Sequence, residues 1–188
     1  VKLRQISLNN SVKTKEGGEK MPNKKVRGIK RKVNNMVKRI EQETMNFPSD
    51  FHNGYWHLPL PVGQGFIASN KTTVGIKRLC IQTLLNRGEH LVNVKPNISE
   101  KTRVVVAIDL PNLWNSQIIV FIGESYYKTF FDRNDDTQRW IPLPKDRNIE
   151  HEWQLTVPNN MKILGFKVEI TDEEYQYTGE NWFIGELN

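Results

Sequence analysis

The stretch RVVVAIDLPNLWNSQIIVFIGESYYKTFFDRNDDTQRWIPL, residues 103–143, decides the fold class. Its runs Arg103 to Leu110 and Gln117 to Ile122 are rich in β-branched residues and bounded by turn formers, which is a strand signature. The same reading extends to Tyr126–Phe131, Arg139–Leu143, Glu152–Val157, Lys162–Thr171 and Glu180–Gly185. Gly123-Glu124 and Asn159-Asn160 suit hairpin turns between these runs.

Working outward toward the N-terminus, the period changes from two to three-and-a-half. Val26, Ile29, Val33, Met36, Val37 and Ile40 recur at 3-4 spacing, predicting an amphipathic helix over about 24–44. Gly28 and the pair Asn34-Asn35 weaken it, and Asn46-Phe47-Pro48 stops it. A second helix is predicted over 71–93 from Val74, Ile76, Leu79, Cys80, Thr83, Leu84 and Leu91, with Ser69 or Asn70 as N-cap and Gly88 marking a break near its end. Between the helices, residues 47–69 read as an ordered loop, since a flexible linker would lack Phe51, Tyr55, Trp56 and Phe66. Helices first and strands afterwards imply an α+β fold, with N-terminal amphipathic helices packed on a largely antiparallel β-sheet.

A chain of 188 residues, 37% hydrophobic and 10% aromatic, has the material for one full core, so residues 21–188 are expected to form a single domain. Residues 1–20 read as a polar tail. The segment Lys15-Glu-Gly-Gly-Glu-Lys-Met21 can be encoded by a string resembling a ribosome-binding site followed by a start codon, so Met21 is an expected native start. The net charge is divided: residues 1–40 hold 13 Lys/Arg against two Glu, whereas the remainder is net acidic. A basic segment on an acidic body either lies on that body or reaches for an outside polyanion. The lone Cys80 suits a reducing compartment, no basic-then-apolar leader opens the chain, and no apolar run is long enough for a membrane span. The expected location is the cytoplasm.

The run quoted above, together with VRGIKRKVNNMVKRI at 26–40, resembles an uncharacterised domain-of-unknown-function family of Bacillus-type Gram-positive bacteria. The resemblance extends from Lys24 to the C-terminus. It implies a bacterial cytosolic protein and brings no active site with it.

Motifs that carry chemistry are sparse. There is no nucleophile elbow, P-loop, His-Glu-x-x-His or dinucleotide-binding glycine pattern, so no catalytic or cofactor-binding residue is assigned and no cofactor is expected. His52 and His57 lie five apart in HNGYWH, but zinc needs three or four convergent ligands, and no metal site is assigned. Asp109 reads as the start of the turn that Pro111 continues, with a strand-end acid as the sharper alternative. Cys80 reads as a packed apolar side chain. Asp132, Asp135 and Asp136, between two runs, form a candidate acidic docking patch or a solvated loop. Lys24, Lys25, Arg27, Lys30, Arg31, Lys32, Lys38 and Arg39 are candidate phosphate contacts along the first helix, although no helix-turn-helix or aromatic RNA-binding motif accompanies them.

The leading expectation is therefore a binding or interaction protein with a protein partner, in the manner of a toxin inhibitor or immunity factor. A nucleic-acid-binding module using the basic helix is the alternative, and an enzyme of unrecognised chemistry is the third. Any aromatic residue left outside the core would mark the partner surface.

Overall fold

A computed structural model describes residues 24–43, 54–61, 72–94, 102–132, 138–141, 148–169 and 179–187. The helices are α1 (Lys24–Gln42), α2 (Val74–Val94), α3 (Glu124–Asp132) and α4 (Ile149–Trp153). The strands are β1 (Gly54–Pro59), β2 (Arg103–Leu110), β3 (Gln117–Ile122), β4 (Gln138–Ile141), β5 (Met161–Glu169) and β6 (Glu180–Glu186). They form one sheet in the order β1-β3-β2-β6-β5-β4, antiparallel at every pairing. The architecture is α+β, as the change of period implied.

The alternation along β2 divides the core. Val104, Val106 and Ile108 point to one face with Ile118, Val120, Trp182 and Ile184, and α2 covers them with Ile81, Leu84, Leu85 and Leu91. Gly88 does not break α2. It lies buried within the helix, and a Cβ there would meet Val106 Cγ2 at 2.6 Å, so the glycine lets α2 pass close to the sheet. The N-cap is Thr73, whose Oγ1 accepts from the N–H of Ile76 at 3.3 Å; Ser69 and Asn70 lie outside the described residues. On α2 rests α1, through buried Val33, Met36 and Ile40 and half-buried Val37; the side chains of Val26 and Ile29 lie outside the described residues. Cys80 is part of this seam, its thiol 3.7 Å from Met36 Sδ.

The opposite face carries Val105, Ala107, Ile119, Phe121 and Phe183, and it is closed by a helix rather than by the strand expected at Tyr126–Phe131. Gly123 adopts φ 82° directly after β3 and starts α3 instead of a hairpin. Tyr127, Phe130 and Phe131 recur at helical spacing and pack around Phe121, with ring centroids 5.3–6.2 Å away. Buried Lys167 donates from Nζ to Phe130 O at 3.3 Å, placing a cation at the C-terminal end of α3 where the helix dipole favours it.

Glu152–Val157 is likewise not a strand. Asn148 caps α4, its side chain accepting from the N–H of His151 at 3.1 Å, and Gln154 in the left-handed region ends the helix. Asn159-Asn160 is then a turn into β5, not a hairpin between two strands. Within the loop expected at 47–69, residues Gly54–Pro59 form β1 at the sheet edge.

Candidate functional site

A surface segment tied down by several hydrogen bonds begins where β2 ends. Asp109 is 5% exposed, and its carboxylate Oδ2 accepts from the N–H of Asn115 at 3.0 Å. Its own N–H donates to Oγ of fully buried Ser116 at 2.9 Å, and its carbonyl accepts from the N–H of Leu113 at 2.6 Å. Ser116 N–H returns to Leu113 O at 3.2 Å, and Lys77 Nζ reaches across from α2 to Pro111 O at 2.9 Å. Leu113, at φ 60°, is driven into the core as a plug. Asp109 is thus the turn organiser and not a strand-end acid facing a pocket. Burial pushes its carboxyl above the ordinary value, partly offset by the hydrogen bond from Asn115.

The consequence is at the tip. With 109, 113 and 116 anchored, Trp114 projects and is 48% exposed, beside exposed Pro111 and Asn115. A tryptophan on a loop whose backbone is already tied down has less conformational entropy left to lose when it binds. A second exposed aromatic group lies on β1, where Tyr55 (53% exposed) and His57 stack with centroids 6.0 Å apart, and Tyr126 from α3 lies 6.1 Å from Tyr55.

Between α1 and α2 there is also a polar groove of about 270 Å³, lined by Glu41, Thr83, Asn86, Arg87 and His90. Three of its lining side chains are engaged within the fold, Asn86 by accepting at Oδ1 from Gln82 Nε2 at 2.9 Å. Thr83 Oγ1 donates to Leu79 O at 2.8 Å, and Arg87 Nη2 donates to Glu43 O, just past the end of α1, at 2.5 Å. Arg87 Nε is buried without a partner but has no solvent-accessible surface through which a ligand could reach it. Among the described residues no group of three or more His, Cys, Asp or Glu could hold a metal ion, and no helix is long and apolar enough to cross a membrane.

The residues singled out in the sequence are scattered. Arg31, Lys32, Lys38 and Arg39 are exposed on α1, opposite its buried stripe, and among the described residues none pairs with a carboxylate. The side chains of Lys24, Lys25, Arg27 and Lys30 lie outside the described residues. Asp132 ends α3, whereas Asp135 and Asp136 lie outside the described residues, as does His52. Trp114 was legible only as one of five Trp and five Tyr residues. The available signal was its position behind the Asp109–Pro111 turn.

The model of a family described as a protein of unknown function, DUF3916, matches residues 37–186, and the chain belongs to that family. The match starts at Val37 rather than at Lys24. It takes in the Trp114 loop and the six strands β1 to β6, and of the eight basic candidates only Lys38 and Arg39. No curated protein and no solved structure matches the chain.

Proposed function

We propose that this DUF3916 protein is a binding module that acts through protein contacts, with Trp114 as the anchor of its partner surface. The observation that carries the reading is a half-exposed tryptophan on a loop tied down by Asp109, Ser116 and Lys77. Tryptophan heads the residues that dominate interface energetics, and a fold that spends a buried carboxylate on fixing such a loop fits recognition. In this reading the protein works in a bacterial cytosol, which suits the buried, reduced Cys80, and serves as an inhibitor or immunity factor against a toxin. Such a role needs a rigid complementary surface and no catalytic residues of its own.

The test is affinity capture from the native host with the parent and Trp114→Ala side by side. A stoichiometric protein partner retained by the parent should bind the variant at least about 30-fold more weakly, the loss expected for a hot-spot residue, while both proteins melt at the same temperature. Capture of no protein by the parent, or equal capture by the variant, would remove the reading.

A nucleic-acid reading is favoured by one observation, the exposure of Arg31, Lys32, Lys38 and Arg39 on α1 with no carboxylate paired to them among the described residues. It ranks second because these cations sit on a single helix with no accompanying base-reading element among the described residues.

A further inference from the structure

We propose that the protein also self-associates through the outer edge of β1, two copies pairing their β1 strands antiparallel about a two-fold axis at Trp56. The register against β3 decides which backbone groups are free. Leu60 donates its N–H inward to Ser116 O at 2.8 Å, and along an antiparallel strand alternate residues present both backbone groups to the same side. Gly54, Trp56 and Leu58 therefore bond to β3, and Tyr55, His57 and Pro59 face the open edge. Pro59 agrees with this assignment, since a proline is tolerated in a sheet where its missing N–H would point away from the partner strand.

The open groups are self-complementary in one register. Centred on Trp56, Tyr55 of each copy faces His57 of the other, and each such pair exchanges two hydrogen bonds. Centred on His57, Tyr55 would face Pro59, which has no N–H to return. The same register sets a Tyr55 ring opposite a His57 ring, the combination already stacked within the strand. Native edges are usually guarded by a charge or a bulge, yet β1 reads Gly-Tyr-Trp-His-Leu-Pro and pairs with β3 without a register shift, so within the strand itself the one guard is Pro59 at its end. A strand with no Lys, Arg, Asp or Glu meets no like charge when it faces its own copy. The Trp114 loop is joined to β1 at Leu60, beyond the paired residues, so the two surfaces are separate.

A six-residue strand pair with its flanking rings buries less than the roughly 1,200 Å² of a standard stable interface, so the association is weak and concentration-dependent. Sedimentation velocity of the full chain from about 5 µM to about 500 µM should show a reversible rise from one-chain to two-chain mass. His57→Pro removes the outward N–H without touching a bond to β3, and should weaken the association roughly 30-fold by deleting two hydrogen bonds per dimer. Tyr55→Lys, at a position already exposed, places a charge on the edge and should weaken it at least as much, with circular dichroism and melting unchanged. If His57→Pro does not fold, Tyr55→Lys decides alone. A one-chain mass at every concentration overturns the proposal, and so does a dimer that Tyr55→Lys leaves intact.

Discussion

Asp109 shows how a single side chain sets a surface. Its carboxylate is almost fully buried at the end of β2 and is held there by the Asn115 N–H, so the loop keeps its form only while that acceptor is present. Asp109→Ala should cost about 1–3 kcal/mol by leaving a backbone donor without its partner, measured as chemical denaturation of the two proteins at pH 7. The pH dependence has a definite sign. Burial raises the folded-state pKa, so the protonated form is the one the fold favours, and its contribution is fully present below the unfolded value and lost as pH rises through the folded one. The parent should therefore lose stability relative to Asp109→Asn, which cannot titrate, in the pH window that opens at the ordinary carboxylate value of about 4 and extends upward. A constant difference in melting temperature across that window would contradict the assignment. Cys80 gives the opposite kind of residue: desolvation pushes its thiol up to about 11, so it stays protonated at neutral pH and behaves as the packed apolar group its neighbours predicted.

At the scale of elements, α1 tests what an amphipathic stripe is for. Alone, a helix carrying Gly28 and two asparagines would be marginal in water, so it is the burial of Val33, Met36 and Ile40 against α2 that holds it. Val33→Asp should cost several kcal/mol, because an unpaired carboxylate would enter a site that is now 3% exposed, and a thermal melt indistinguishable from the parent's would show that the seam does not bear on stability. The two long helices and most strands were legible because their periods persist over many residues. The segments α3 and α4 were not, for a physical reason. Ser125-Tyr-Tyr-Lys-Thr-Phe-Phe131 has the composition of a strand, but its rings also fall at helical spacing, and what decides between them is a bare sheet face of Phe121 and Phe183 that needs a lid. For α4 the capping residue Asn148 was a readable signal, outweighed by the Trp-Gln-Leu-Thr-Val run behind it. The Asp109 turn was readable as chemistry. The exposure of Trp114 was not, because which aromatic remains outside depends on how all the others are consumed by packing.

For the whole molecule the decisive property is the uneven charge, a basic first 40 residues on a net acidic remainder. Arg31, Lys32, Lys38 and Arg39 are exposed on the solvent face of α1, so any polyanion should be felt there, and the strength of that binding separates the two functional readings. Each cation that neutralises a phosphate releases counterions and contributes a log-log salt slope of about −0.9, so changing all four to Gln should flatten the slope by three to four units, roughly, if they track a duplex. Because the four side chains are exposed and the buried stripe is untouched, the melting temperature should hold. We expect the parent to bind duplex and single strands only weakly at physiological salt, with a slope that the quadruple variant flattens and no preference among sequences, as an incidental basic face would. Fluorescence anisotropy across a salt series measures both quantities. Tight, sequence-selective binding by the parent that vanishes in the variant would move the function from Trp114 to α1, since a solvated basic face has no means of distinguishing one base from another.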